Sequence, residues 1–220
     1  MLIAGVDEAG RGCVIGPLVV AGVAVASENI QSLIDLGVKD SKLLTAKKRE
    51  ALHPEILKLT QKHHIIKVQP SQIDVVVQSA RRLHKLNRLE AETMAKIIEE
   101  LKPDEAYVDA ADVLEKRFGN HIKERLTIDS TIISKHKADR IFPVVSAASI
   151  IAKVERDREI ASLKLIYGDF GSGYLTNVKT MTFLKQLLSE NGDYPSCVRQ
   201  SWKPAKKAKS ELGTKQGTLL

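Results

Sequence analysis

Apolar and polar positions along this chain fall into short blocks with strand and helix periods by turns. Leu2–Val6 is a short apolar segment and Leu18–Ala26 a Val/Ala-rich run of strand length. The glycine-rich corner at Gly10 and Gly12 between them predicts an antiparallel pair. Thr45 is placed to cap a helix through Lys62 with a kink near Pro54, and Ile65–Val68 follows as a strand. Asn87 is placed to cap a helix ending before Pro103. Ala106–Val108 reads as a strand ending in Asp109, followed by an amphipathic helix from about Asp112 to Leu126. A strand near Ile132–Ser134 leads through Lys135–Asp139 into a long helix that opens at Pro143 and runs to Tyr167. Gly168–Tyr174 is then a glycine-rich loop, Val178–Glu190 a helix and Gly192–Pro195 a break.

This pattern divides the chain into a main α/β domain over residues 1–167, a small helical appendage over 168–202 and a basic, flexible tail over 203–220. The tail after Trp202 has too little apolar content to hold a fixed fold alone. No internal repeat is visible. The apolar run from Cys13 to Ala26 is too short to span a bilayer, holds Gly16, Pro17 and Gly22, and follows two acids instead of a positive leader. It reads as a buried strand of a cytoplasmic protein with no membrane partner.

Composition narrows the chemistry only slightly. A chain of 220 residues, 43% hydrophobic, is long enough for one sizeable core. Its formal charge of +7 favours a polyanionic partner. Five lysines against Glu211 give the tail +4 of that charge and leave +3 for the other 202 residues, so the excess sits at one end as a tether for phosphate. Cys13 and Cys197 stand far apart in no C-x-x-C spacing, so neither a disulfide framework nor a zinc site is suggested and a reducing cytoplasm fits.

The candidate chemistry lies in four acids. Asp7 and Glu8 stand together at the end of an apolar strand, immediately before glycines that let backbone approach a ligand. Asp109 ends a second strand, and strand ends in α/β sheets are where sites accumulate. Asp139 precedes the long helix. Taken singly, each acid has capping or solvation as its ordinary role, Asp112, Asp129 and Asp157 compete with them, and spacing alone does not show convergence. If the four converge, carboxylates without a His or Cys cluster select magnesium or manganese. Two such ions ~4 Å apart would activate water and stabilise a leaving 3′ oxygen.

Six segments then carry a resemblance: D-E-A-G-R-G at 7–12, K-D-S-K at 39–42, Y-V-D at 107–109, H-K-A-D at 136–139, P-V-V-S-A-A-S-I-I-A-K-V-E-R-D at 143–157 and G-S-G-Y at 171–174. In collinear order from residue 2 to about 202, they resemble the type 2 ribonucleases H (RNase HII), of archaeal kind. The resemblance implies a ribonuclease-H-like mixed sheet flanked by helices, with a helical C-terminal appendage. It implies that Asp7, Glu8, Asp109 and Asp139 are catalytic metal ligands and that two Mg2+ or Mn2+ ions act. Gly10, Arg11 and Gly12 become the loop that senses the ribose 2′-hydroxyl, the group that distinguishes RNA from DNA. Tyr174 matches a tyrosine that stacks at the RNA–DNA junction, although Leu175-Thr176-Asn177 departs from the family's P-S-D continuation. Lys42, Arg49, Asn87 and Lys153 resemble substrate-contacting positions; His136, three residues before Asp139, reads as structural.

The implied activity is endonucleolytic hydrolysis 5′ to a ribonucleotide, in RNA/DNA hybrids and in DNA duplexes with embedded ribonucleotides, by a monomer. Gln216-Gly217-Thr218-Leu219 fits the beginning of the Q-x-x-L motif that docks on a sliding clamp, without the aromatic pair that should follow. Two other readings compete: a noncatalytic nucleic-acid-binding protein, and another nuclease of the same fold such as a resolvase or type 3 ribonuclease H.

Overall fold

The computed structural model describes residues 1–38, 44–80 and 85–217. In chain order its elements are β1 (Leu2–Ala9), β2 (Leu18–Ala26), α1 (Ile30–Asp35), α2 (Ala46–Leu59), β3 (Lys62–Val68), α3 (Pro70–Gln78), α4 (Lys85–Leu101), β4 (Glu105–Asp109), α5 (Glu115–Lys123), β5 (Thr131–Lys135), α6 (Ala138–Ile141), α7 (Pro143–Tyr167), α8 (Val178–Asn191) and α9 (Lys203–Gly217). They gather into two compact units.

The first unit holds the sheet, α1, α2, α4, α5, α6 and α7 as far as Glu155. The strand order is β3-β2-β1-β4-β5. β1 runs antiparallel to β2 and parallel to β4, and β5 continues parallel to β4, so the sheet is mixed and flanked by helices, as the resemblance implies. Every residue of β2 is buried, whereas β3 and β5 carry exposed lysines or threonine, which discourages edge-to-edge pairing.

Side chains alternate across a strand, so Gly5 and Asp7 share one face of β1, and Ala4 and Val6 the other. On the first face, a Cβ added to Gly5 would lie 2.5 Å from the Val145 nitrogen and closer still to the Val144 carbonyl. The backbone of α7 therefore rests directly on β1. On the other face Gly22, paired with Val6, meets α4: a Cβ there would lie 2.9 Å from Leu101 Cδ1 and closer to Ile97 Cγ2. α4 turns Ala91, Met94, Ala95, Ile98 and Leu101 inward at helical spacing.

The second unit is discontinuous: residues 10–18 and α3 join the chain from Arg156 onward. The apolar pattern, with its breaks near 167 and 202, carries no local mark of these upstream segments. Its core gathers Val14, Ile15, Ile160, Phe170, Leu184, Leu188, Tyr194, Val198 and Ala205. Asp74 of α3 accepts hydrogen bonds from Gln200 N and Ser201 N, 2.9 Å each. Where the lysine-rich segment reads as a flexible tail, the structure has α9, with Ala205 fully buried and its carbonyl accepting from Tyr194 Oη at 3.4 Å.

Other departures are local. Thr45 Oγ1 caps α2 by accepting from Lys48 N, but the helix stops at Leu59 because β3 begins at Lys62. Asn87 lies inside the first turn of α4 and is not its cap. α5 begins at Glu115, since Asp112 is spent on the turn before it, accepting from Leu114 N. α1 and α3 go unforeseen, although Pro70 in the first turn and Gln72 Oε1 accepting from Gln69 N are helix-start signals. No helix among the described residues is long and apolar enough to cross a membrane.

The Gly5 contact is with backbone and the Gly22 contact with side-chain ends, so the two positions should respond differently. Gly5→Ala is expected to lower the thermal midpoint by several degrees, the scale of ~2–3 kcal/mol of overpacking. Gly22→Ala should cost less than half as much, because Ile97 and Leu101 can rotate away. Thermal melts of the two variants check this, and equal losses would overturn it.

Candidate active site

The parallel register sets the first two acids side by side. Val6 pairs with Val108, so the next residues along β1 and β4 are Asp7 and Asp109. Asp109 Oδ1 accepts from Ala138 N at 3.1 Å, anchoring α6 on the end of β4 and setting Asp139, itself buried, one residue from that contact. The structure thus brings Asp7, Asp109 and Asp139 to one end of the sheet. Glu8 is half-buried beside Asp7 in β1, with its Cβ on the opposite face by strand alternation.

Asp7 is 3% exposed, and its carboxyl is pushed up to about 6. Burial is the largest cause and the negative Asp109 adds to it, while the Lys153 ammonium, a Ser149 hydroxyl hydrogen bond and the Glu8 amide oppose it. The Glu8 N–H donates to Asp7 Oδ1 at 2.8 Å, and Lys153 Nζ donates to Ser149 Oγ at 2.5 Å. Val145, Ser149 and Lys153 succeed one another at four-residue spacing on α7. The helix face that presses on Gly5 therefore presents its hydroxyl and ammonium to Asp7. Ser149 is a site residue that the sequence reading misses; its signal is a hydroxyl four residues before Lys153 in an otherwise apolar run.

The competing acids have other employment. Asp112 accepts from Arg117 Nε at 3.0 Å and also from Leu114 N and Asn87, which holds its carboxyl well below the usual carboxylate range, the Arg117 hydrogen bond being the largest cause. Asn87 is thereby tied to Asp112. Asp129 is exposed, and Asp157 pairs with Arg156 at 3.4 Å. His136 supports the turn before Asp139, with Nε2 3.2 Å from Val113 O and its N–H donating to Glu115 Oε1. Arg49 Nη1 donates to Leu44 O at 2.7 Å. Lys42 and the K-D-S-K segment lie outside the described residues.

The residues assigned to ribose recognition belong to the second unit. Gly10 has φ +82°, and a Cβ there would lie 2.7 Å from Pro17 O, so the position demands glycine. Arg11 is half-buried and Gly12 exposed. Tyr174 bridges Cys13, and its ring lies 4.7 Å from the Arg156 guanidinium carbon. Burial raises its phenol pKa. The departure at Leu175-Thr176-Asn177 has a local account: Asn177 caps α8, accepting from Thr180 N at 3.3 Å, a role an aspartate fills equally well.

Among the described residues, no three acidic, His or Cys side chains form a ready-made cation cage. Crowded carboxylates repel, which opposes such gathering. The donors at this end of the sheet are nevertheless all hard carboxylate oxygens, suited to magnesium or manganese rather than zinc. A groove of about 670 Å³ along Val113, Leu114, Arg117, His121 and His136 holds none of the four acids. Enclosure is a property of small-ligand sites, and a duplex needs an open surface.

The ribonuclease HII family model matches residues 4–205. The ribonuclease HII of Thermococcus onnurineus is 48% identical, with 96% of this chain and 92% of that protein covered. That of Pyrococcus horikoshii is 45% identical over all of this chain and 98% of its own length. The crystal structure of the ribonuclease H2 from Pyrococcus horikoshii superposes with a TM-score of 0.89 at 45% identity, covering 97% of this chain and 99% of that one. A structure titled as the PCNA:RNase HII complex from Archaeoglobus fulgidus matches with a TM-score of 0.83 at 46% identity, covering 94% and 96% of the two chains. Likeness to Bst-RNase HIII, at 22% identity and a TM-score of 0.79 over 97% of this chain and 71% of that one, shows the shared fold alone. The chain belongs to the ribonuclease HII family and is a ribonuclease H, an endoribonuclease of RNA/DNA hybrids.

Proposed function

We propose that this enzyme hydrolyses the phosphodiester 5′ to a ribonucleotide, both in RNA/DNA hybrids and at single ribonucleotides embedded in duplex DNA, leaving 3′-hydroxyl and 5′-phosphate ends. The observation that carries the reading is the buried carboxylate of Asp7, which neighbours Asp109 and is answered on its other side by Lys153. Asp7, Glu8, Asp109 and Asp139 would hold two Mg2+ or Mn2+ ions. Bound there, such ions supply an activated water and offset charge on the leaving 3′ oxygen. The protein's own work is positional. Ser149 and the Glu8 amide fix the Asp7 carboxylate, Asp109 fixes the start of α6, and Lys153 tempers the local negative charge. Gly10–Gly12 read the 2′-hydroxyl by backbone N–H groups, and Tyr174 offers a flat face to the nucleotide. Lys42, Arg49 and Asn87 are assigned to substrate contact by family likeness alone. The protein acts as a monomer and docks on a sliding clamp through Gln216–Leu219. Support for the clamp is the Q-x-x-L spacing and the Archaeoglobus complex; residues 218–220 lie outside the described set.

A DNA duplex with one embedded ribonucleotide, assayed with magnesium and with manganese, tests the substrate and the metal together. Cleavage is expected 5′ to that ribonucleotide and should vanish with chelation. Asp7→Asn should slow it by roughly 10²- to 10³-fold or more, the scale of losing one preorganised charge-stabilising group, while duplex affinity changes little. An undiminished rate would remove Asp7 from the chemistry.

Folded Asp7 takes up a proton near pH 6, whereas the unfolded chain does so near 3.8. Between those values the folded state holds the extra proton, so its stability rises as pH falls through the window and is lost as pH rises through about 6. In chelator, Asp7→Asn should therefore be more stable than the parent at pH 8, on the order of 3 kcal/mol, and the two should converge by about pH 4. A stability difference independent of pH, measured by thermal melts, would contradict the burial argument. For the clamp, deletion of residues 210–220 should abolish capture by an immobilised clamp; unaffected capture would remove Gln216–Leu219 as the docking segment.

A further inference from the structure

Among the described residues Arg199 is the largest fully buried side chain, and no sequence pattern marks it. Its guanidinium donates from Nη2 to Gly10 O at 2.7 Å, from Nη1 to Arg11 O at 2.8 Å, and from Nε and Nη2 to Gly16 O at 3.2 and 3.1 Å. Nη2 also lies 3.1 Å from Cys13 Sγ, and the Trp202 ring stacks 5.0 Å away. One planar fork thus gathers three carbonyls of the loop between β1 and β2. A lysine ammonium, a single point of charge, cannot span them.

A trans peptide holds its C=O and N–H antiparallel. With the Gly10 and Arg11 carbonyls drawn to the buried guanidinium, the N–H groups of Arg11 and Gly12 must point away from it. Arg156, 8% exposed, works from another side. Its Nη2 donates to Ser172 O at 2.5 Å, and its guanidinium lies over the Tyr174 ring, 4.7 Å from the centroid. Its Nε would lie 3.3 Å from a Cβ on Gly10, so the same side chain packs under the loop. Val14 N and Ile15 N donate to Gly173 O at 2.8 and 3.2 Å, joining the two loops directly.

We infer that Arg199 and Arg156 are positioning residues for ribose recognition: a buried pair of guanidiniums that aims the Arg11 and Gly12 amides and fixes the Tyr174 ring before substrate arrives. Neither needs to touch the nucleic acid. This rests on the reading that Gly10–Gly12 and Tyr174 sense the 2′-hydroxyl.

The test is the ratio of affinities for two duplexes of one sequence, one with a single ribonucleotide and one all DNA, measured in the Asp7→Asn background so that neither is cut. Arg199→Lys and Arg156→Lys should each lower the preference for the ribonucleotide by about tenfold, the effect of one hydrogen-bonding group no longer aimed, while affinity for all-DNA duplex stays within about twofold. Leu184→Ala, in the same core, provides a destabilised control that should keep the preference. A folded arginine variant that retains the preference overturns the inference, as does failure of both variants to fold, which would assign the pair to the core alone. If the parent shows no preference, the ribose-sensing reading fails and takes the inference with it. If the parent discriminates and the variants do too, the inference alone fails.

Discussion

The backbone of α7 lies against β1 at Gly5 with no room for a side chain between them, and the geometry of the carboxylate site follows from that contact. Because the strand repeats every two residues and the helix nearly every four, Asp7 meets Ser149 and Lys153 where Gly5 meets Val144 and Val145. A larger residue at position 5 would lift the helix and withdraw both polar partners from Asp7. The parallel neighbour β4 then adds Asp109, and the hydrogen bond from Ala138 N ties α6 and Asp139 to the same end of the sheet. Two close contacts and one strand register set three acids at one edge.

Such a site is expensive for the fold. A buried carboxylate with a second one beside it raises the free energy of the charged state, which is why Asp7 titrates so far above an ordinary aspartate. Lys153 and Ser149 offset part of that cost without cancelling it. The remainder is an unfavourable energy of the ionised carboxylate that the protein's own groups leave in place. Asp112 shows the contrasting case: held by Arg117, Leu114 N and Asn87, it is satisfied by protein groups and serves the fold.

The sequence displays the parts of this arrangement that have local signatures. β1, β2, the Asp109 strand and the long helix at Pro143 are legible because their apolar periods and start signals are strong. The glycines at 10 and 12 announce a special turn. Spacing could not bring Asp7, Asp109 and Asp139 together, since that depends on parallel pairing between strands a hundred residues apart; the resemblance to a family supplied it. Ser149 was hidden in an apolar helix, and Arg199 was hidden more completely, since its partners are main-chain carbonyls that leave no mark on side-chain identity. The Lys-rich end reads as a tail because its apolar anchors are small, Ala205 and the half-buried Ala208, seated in a core that the sequence pattern does not reveal.

Arg199 is separated from Gly10 by 189 residues, and its hydrogen bonds are what hold the loop's carbonyls inward. During synthesis the loop therefore leaves the ribosome well before the guanidinium that holds it. Contacts that span so much chain close late in folding. Because Arg199 follows Asp139 in the chain, an emerging polypeptide has all of its clustered acids at hand before it has the side chain that gathers the carbonyls of this loop.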